Sequence, residues 1–167
     1  PKLRRAATKQ LSDTLPLSVA SPPSLLIRAF GKPEVYQQGT LVGNSDWLTL
    51  KARDMFFCLI AHPDGLSKEE IGLLFWPDCS EGQLKTRFKN TIHRMRSAIP
   101  EDAVIFANDI YRFNDQLDYE YDVELFLAKV EKAKRATDIT TKVQSLQAAF
   151  DLYRGPYLPS EEALWAV

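Results

Sequence analysis

Three consecutive stretches of the chain repeat apolar residues at the spacing of an amphipathic helix. In residues 48–62, LTLKARDMFFCLIAH, Met55 and Leu59 lie four positions apart, and so do Phe56 and Ile60. Residues 66–77, LSKEEIGLLFWP, and residues 84–99, LKTRFKNTIHRMRSAI, continue the same period. The pattern predicts three helices in succession.

Capping residues indicate where two of these helices begin. Ser67 and Glu70 form the S-x-x-E pattern of a capping box at the start of the second helix. Ser80 and Gln83 offer a second capping box for the third helix. Pro77 lies between the two helices and ends the earlier one. The three helices are therefore expected to be joined by short turns.

Shorter apolar runs flank the helices and predict strands. In residues 25–42, Leu25, Ile27 and Ala29 alternate with the positions between them in a weak strand pattern, which Gly31 and Pro33 interrupt, and this predicts a small antiparallel N-terminal sheet. Residues 104–113 hold two apolar runs around an Asn-Asp pair, and both residue types tolerate the left-handed backbone of a tight hairpin. Residues 121–136 and 140–155 return to helical period, so two further helices are expected.

The third predicted helix separates its side chains by chemistry. On a helical wheel of about 100° per residue, one arc is apolar and holds Leu84, Phe88, Ile92, Met95 and Ile99. The opposite strip is polar and holds Thr86, Asn90, His93 and Ser97. Basic residues flank this strip, with Lys85, Lys89 and Arg96 on one side and Arg87 and Arg94 on the other. The segment contains no acidic residue.

This arrangement fits double-stranded DNA. An α-helix fits the major groove, where Asn, His and Thr can exchange hydrogen bonds with base edges. Lys and Arg on the two flanks would reach the phosphates, which fix the position of the helix without reading sequence. The alternative is a solvated basic face. The absence of acids disfavours it, because exposed helices usually mix charges to form pairs three or four positions apart.

The order of the predicted elements also favours DNA binding. Three helices followed by a hairpin is the order of a winged helix-turn-helix, in which the third helix reads the major groove. Arg112 on the second hairpin strand can enter the minor groove, where the negative potential attracts Arg; the alternative is a strand-surface charge. The predicted fold is α+β and mainly helical, with a small antiparallel sheet, three helices, a hairpin wing and about two further helices.

The charge of the chain is divided between its two parts. The formal net charge is only −1. Residues 1–100 hold fourteen Lys and Arg against nine Asp and Glu, whereas residues 101–167 hold seven against thirteen. A basic part can meet nucleic acid, and an acidic part is repelled by it. We therefore expect the second part to be used for protein contacts.

Other classes of function find little support. His62 and His93 are the two histidines, and no nucleophile–base motif or Gly-rich phosphate loop accompanies them, so neither an enzyme nor a cofactor is expected. Cys58 and Cys79 do not form a C-x-x-C metal motif, which indicates a reduced, cytoplasmic protein. The acids of residues 118–124 do not match a calcium loop and are interpreted as a solvated linker and helix start. No run of eighteen apolar residues exists, so no membrane partner is expected.

Several short motifs match those of one family. The stretch KARDMFFCLIAHPDGLSKEEIGLLFWPD, the helix ending IHRMRSAI and the strand IYRF resemble the OmpR-like winged-helix domain of SARP-type bacterial transcriptional regulators. DVELF and LYRGPYLP resemble the beginning of the bacterial transcriptional activator domain that follows it in this family, an array of helix pairs like tetratricopeptide repeats. The resemblance spans about residues 25–160.

The helical wheel and the resemblance together nominate DNA-binding residues. They are Trp76, Thr86, Arg87, Lys89, Asn90, His93, Arg94, Arg96 and Arg112. The resemblance implies that Trp76 donates its indole N–H to a phosphate, although it can equally be a core aromatic. Lys51 and Arg53 match a basic cluster before the first helix. Ile110 stands where the family carries a wing Gly, and His93 stands where Ser or Arg is common, so the DNA sequence is not inherited from the family.

The resemblance also divides the chain. Residues 1–24, rich in Ser and Pro, form a linker; residues 25–116 form the OmpR-like winged-helix domain; and residues 117–167 begin a truncated helical activator domain. The predicted function is sequence-specific binding of double-stranded DNA to regulate, and most simply to activate, transcription. The second region would contact RNA polymerase, another protomer, or the rest of a longer chain. The alternative is a C-terminal protein-interaction module of a larger signalling ATPase or sensor, with weak or no DNA binding.

Overall fold

The computed structural model describes residues 23–159, and the predicted linker at residues 1–24 lies almost entirely outside this range. Between residues 23 and 159 the chain forms six α-helices and two small β-sheets. This is the mixed, mainly helical class expected from the sequence. No helix in this range is long and apolar enough to cross a membrane.

The first sheet gathers strands from both ends of the described chain. Its strands are β1 (Leu25–Arg28), β2 (Glu34–Gln37), β3 (Thr40–Leu41) and β7 (Tyr119–Tyr121), in the order β3-β2-β1-β7. The first three are antiparallel, as predicted. β7 was not predicted and lies parallel to β1, with Leu25 opposite Tyr119 and Ile27 opposite Tyr121.

The acidic segment at residues 118–124 is not the solvated linker that the sequence predicts. Part of it is strand β7, and Asp122, at the start of α5 (Asp122–Arg135), is only 5% exposed. The reason is the alternation of two tyrosines around Glu120, which sends the acid to the solvent face and the tyrosines towards the core. The helix start predicted for this segment is confirmed.

Four helices follow the first three strands. They are α1 (Asn44–Trp47), α2 (Leu50–Ala61), α3 (Lys68–Phe75) and α4 (Glu81–Ala98). The one-turn α1 was not predicted, and the other three match the predicted helices. Thr49 caps α2 through its hydroxyl. Ser67 and Glu70 form the predicted capping box of α3. The Gln83 side chain accepts a hydrogen bond from the Ser80 N–H at 3.1 Å, as the second capping box requires.

The hydrophobic core joins these helices to the sheets. Its fully buried side chains include Trp47, Phe56, Phe57, Leu59, Ile71 and Met95. The ring of Phe56 lies 5.7 Å from that of Trp47 and 5.9 Å from that of Phe113. Because these rings come from α1, α2 and the predicted hairpin at residues 104–113, one core holds all three elements together. The buried Met95 of α4 belongs to the same core.

The second sheet contains the predicted hairpin. It consists of β4 (Leu66–Ser67), β5 (Val104–Ala107) and β6 (Ile110–Phe113), in the order β4-β6-β5. The hairpin turns at Asn108 and Asp109, whose φ angles are 52° and 62°. Both residues are in the left-handed region that Asn and Asp tolerate, as the sequence predicts. Strand β4 was not predicted.

The two C-terminal helices pack against each other and against the first sheet. They are α5 and α6 (Ile139–Leu152). The ring of Phe30, just after β1, lies 5.3 Å from Phe126 on α5 and 5.4 Å from Tyr153 after α6. The chain then returns to the sheet, where the Leu158 N–H donates to the Ala29 carbonyl at 2.9 Å. The predicted domain division at residue 116 stays a prediction.

Helix α6 leaves an apolar stripe in solvent. Its members recur at helical spacing and are Ile139, Val143, Leu146 and Phe150. On a wheel of about 100° per residue they fall within one arc of about 60°. A neighbouring face of α6, about 60–100° from the edge of this arc, buries Ser145 and Ala149. This stripe is therefore separate from the face by which α6 packs within the described chain.

Candidate nucleic-acid interface

Helix α4 shows the separation of faces that the sequence predicts. It buries Phe88, Ile92 and Met95 in the core. Its solvent side carries Thr86, Arg87, Lys89, Asn90 and His93, which are exposed, while Arg94 and Arg96 are half-buried. Thr91 is a buried polar residue on the core side, and its hydroxyl donates to the Arg87 carbonyl at 2.9 Å. One face of α4 thus presents a polar strip with basic flanks.

A close contact with α3 fixes the start of α4. A Cβ atom at Gly72 would lie 2.7 Å from Cδ2 of Leu84, nearer than side-chain atoms normally approach. The two helices reach this separation because Gly has no side chain. The start of α4 therefore packs closely against α3 at Gly72.

In the part of the chain that the structure describes, the basic residues of α4 have no acidic partners. Among residues 23–159, no salt bridge involves Lys85, Arg87, Lys89, Arg94 or Arg96. Helix α5 behaves differently, because Glu131 pairs with Lys134 at 2.7 Å and with Arg135 at 3.8 Å. Positive charge on α4 is thus left uncompensated within the described chain, and this is the condition for attracting a polyanion.

A groove lies on one flank of the polar strip. Its walls come from the start of α2, the end of α3 and α4, and are lined by Thr49, Leu50, Lys51, Trp76, Arg87, Asn90, Thr91 and Arg94. Four of the predicted DNA-binding residues therefore meet in one place. The first turn of α2 lies in the wall of the groove and brings the positive end of its helix dipole there. The groove is suited chemically to a phosphate.

Trp76 has features of both roles considered for it. It is 7% exposed and its ring lies 5.8 Å from that of Phe75, as expected of a core aromatic. It also lines the groove. Of the two basic residues near the start of α2, Lys51 is exposed and lines the same groove. Arg53 is half-buried and pairs with Asp54 at 3.1 Å, so its charge is already compensated.

Arg96 lies on the other flank of α4 and turns towards the hairpin. Its Nη2 donates to the Val104 carbonyl at 3.3 Å, and its Nε is buried without a hydrogen-bond partner among residues 23–159. The wheel places Arg96 beside the polar strip, but the guanidinium contacts the first hairpin strand. The structure therefore places this residue at the base of the hairpin and not in the groove.

The hairpin carries the remaining predicted residue. Arg112 is exposed on β6, opposite Ile105 of β5. Residues alternate between the two faces of a strand, so Arg112 lies on the face opposite Tyr111. Tyr111 faces α4, since its ring lies 5.0 Å from that of Phe88. The structure does not bring Arg112 together with the groove residues; the polar strip of α4 separates them.

The groove also contains residues that the sequence did not nominate. Thr49, Leu50 and Thr91 line it, and among them Thr49 is of a residue type that favours the N-cap position, which it occupies at the start of α2. Within the described range, no group of three or more His, Cys, Asp or Glu residues is arranged to hold a metal ion.

Comparison with known proteins identifies a related fold. The sequence matches no protein-family model, and no curated protein matches it. Mycobacterium tuberculosis EmbR, solved in complex with a low affinity phosphopeptide, has a similar structure with a TM-score of 0.64 and 19% sequence identity. The similarity covers 81% of this chain and 38% of the EmbR chain, so the present chain spans well under half of that protein. At this identity the likeness shows a shared fold.

Proposed function

We propose that this protein binds double-stranded DNA in a sequence-specific manner and thereby regulates transcription. The observation that carries the proposal is the set of five basic residues on α4 that have no acidic partner among residues 23–159. EmbR is a SARP-family transcriptional regulator, and the fold that it shares with this chain supports the proposal. So does the resemblance of the sequence motifs to SARP-type regulators.

In this proposal α4 enters the major groove of DNA. Asn90, His93 and Arg94 would read or adjoin base edges, and Thr86 would line the same strip. Arg87 and Lys89, on opposite flanks of the strip, would contact phosphates of the two strands. The exposure of Arg87, Lys89, Asn90 and His93 supports these roles.

The groove beside α4 would receive a backbone phosphate. Lys51, Arg87 and Arg94 would supply positive charge, and the first turn of α2 would supply backbone N–H donors. Trp76 would contribute the edge of its indole ring. The hairpin at residues 104–113 would lie on an adjacent minor groove, with Arg112 as its basic contact. Arg96 would act through the hairpin, since its guanidinium already contacts β5.

The helix pair would serve a different contact. The apolar stripe on α6 supports a protein-facing role for this region, because single soluble domains rarely leave such continuous stripes in water. RNA polymerase, another protomer on DNA, and other parts of a longer chain are the partners expected. If α4 does not bind DNA, this stripe favours the protein-interaction module as the function.

Single substitutions test the assignment of α4. Arg94→Ala should weaken binding to a selected sequence by about 1–3 kcal/mol and relax preference at one base pair, if Arg94 reads a guanine. Lys89→Ala should weaken binding to all sequences alike and flatten the salt dependence. Lys142→Ala, a change at an exposed Lys on α6, is the matched control and should leave binding unchanged. Normal binding by Arg94→Ala would show that the helix assignment is wrong.

A further inference from the structure

The hairpin carries an exposed aromatic ring held in a fixed position. Phe106 on β5 is 48% exposed. Its ring lies 4.3 Å from that of its cross-strand partner Tyr111, at an interplanar angle of 30°. The Tyr111 ring in turn contacts Phe88, the buried aromatic of α4, at 5.0 Å. A row of three rings therefore connects the core side of α4 to the surface of the hairpin.

This row places Phe106 beside the basic face of α4. Nη2 of Arg96 donates to the Val104 carbonyl of β5, and Lys85 and Lys89 lie on the same flank of α4 as Arg96, so the hairpin covers the flank that carries these lysines. Arg112 adds positive charge on the opposite face of the same hairpin. Phe106 is thus an exposed apolar side chain on a hairpin that lies against a basic flank of α4.

We propose that Phe106 packs against the sugar-lined wall of a DNA minor groove next to the major groove that α4 enters. The inference rests on the proposed function, and it adds a non-ionic contact to it. The faces of deoxyribose rings are apolar, and proteins that approach the minor groove often use Phe or Leu side chains there. The stacked ring loses little conformational freedom on binding, since Tyr111 and Phe88 already hold it. The positive charge around it brings the DNA backbone close.

The ionic strength dependence of DNA affinity tests this contact. Binding of a fixed duplex is measured by fluorescence anisotropy at several salt concentrations for wild type, Phe106→Ala, Phe106→Trp and Tyr153→Ala. Phe106→Ala should bind about five- to tenfold more weakly at every salt concentration, because it removes buried apolar area. Its log–log salt slope should equal that of wild type, since no phosphate contact is lost. Phe106→Trp should restore binding.

Tyr153→Ala is the matched control, because it removes an aromatic ring that is equally exposed and, like Phe106, packs on a second ring; it lies outside the proposed DNA interface and should not change the affinity. Thermal unfolding of each variant confirms that the fold is retained. Wild-type affinity in Phe106→Ala would overturn the inference and leave the proposed function intact. An altered salt slope in Phe106→Ala would also overturn it, because the loss would then come from displaced phosphate contacts. Failure of the proposed function is a separate result, namely the absence of DNA binding by the wild-type protein.

Discussion

Replacing Asp122 by Ala should destabilise the protein strongly. The Asp122 carboxylate joins three segments: it accepts from the Ala29 N–H at 2.8 Å, from the Phe30 N–H at 3.2 Å and from Nη2 of Arg154 at 2.8 Å. The first two donors are at the end of β1, and the third follows α6. The carboxylate therefore fastens the helix pair to the first sheet.

The magnitude follows from what the substitution leaves behind. Each of the two backbone N–H groups would lose its carboxylate acceptor in a buried place, at about 1–2 kcal/mol for each group. The Arg154 side chain is partly exposed, so water can replace the lost carboxylate there and its contribution is small. The free energy of unfolding should therefore fall by about 2–4 kcal/mol. Asp122→Asn keeps one acceptor and should fall between Asp122→Ala and wild type.

Urea unfolding followed by circular dichroism measures the effect. The control is Asp151→Ala, which removes an exposed carboxylate that accepts a hydrogen bond from Gln147 on the same helix. That change should cost less than about 0.5 kcal/mol. If Asp122→Ala and Asp151→Ala have the same stability, the reasoning about the buried carboxylate is refuted.

Three further predictions concern backbone, thiol and carboxyl chemistry. Gly65 has φ +81°, and a Cβ atom there would lie 2.7 Å from the Tyr111 carbonyl oxygen, so Gly65→Ala should cost more than about 1 kcal/mol in urea unfolding; wild-type stability would contradict this. Burial raises the pKa of the Cys58 thiol to about 12, so iodoacetamide should label half-buried Cys79 first in the native protein, and mass spectrometry should find Cys58 labelled only after unfolding. Hydrogen bonds from the start of α3 hold the pKa of Glu70 below its ordinary 4.5, so its stabilising effect is present above that pH and is lost as the pH falls through the lowered value. Glu70→Gln should therefore flatten the acid limb of a plot of Tm against pH, and an unchanged limb would contradict the assignment.

The elements of this fold that depend on local sequence were predictable. The period of apolar residues predicted α2, α3 and α4, because each helix buries one face against the same core. The Asn108-Asp109 pair predicted the hairpin, because its turn requires left-handed backbone. Strand β7 was not predictable in this way. It pairs Leu25 with Tyr119, residues far apart in sequence, and no local pattern encodes the choice of a parallel partner.

In the candidate site, too, the features of a single helix were predictable and the contacts between elements were not. The wheel correctly separated the buried and exposed residues of α4, since that separation depends on one helix alone. It could not indicate what packs beside the helix. The contact of Arg96 with the Val104 carbonyl was therefore not predictable from the wheel. Nor was the groove in which Lys51 lies beside Arg87, because its walls come from three helices. The role of Asp122 was hidden for the same reason, because its partners come from other segments.

The salt dependence of DNA binding by the wild-type protein tests the central claim most directly. Anisotropy with a random duplex, from about 50 to 200 mM salt, should give a log–log slope near −4 to −5 if about five phosphates are contacted. The Arg87→Ala/Arg94→Ala double variant should bind more weakly, with a slope shallower by about one for each phosphate contact that is lost. This result would place DNA on α4. Absence of binding at the lowest salt, or a double variant that binds as wild type does, would contradict the proposed function.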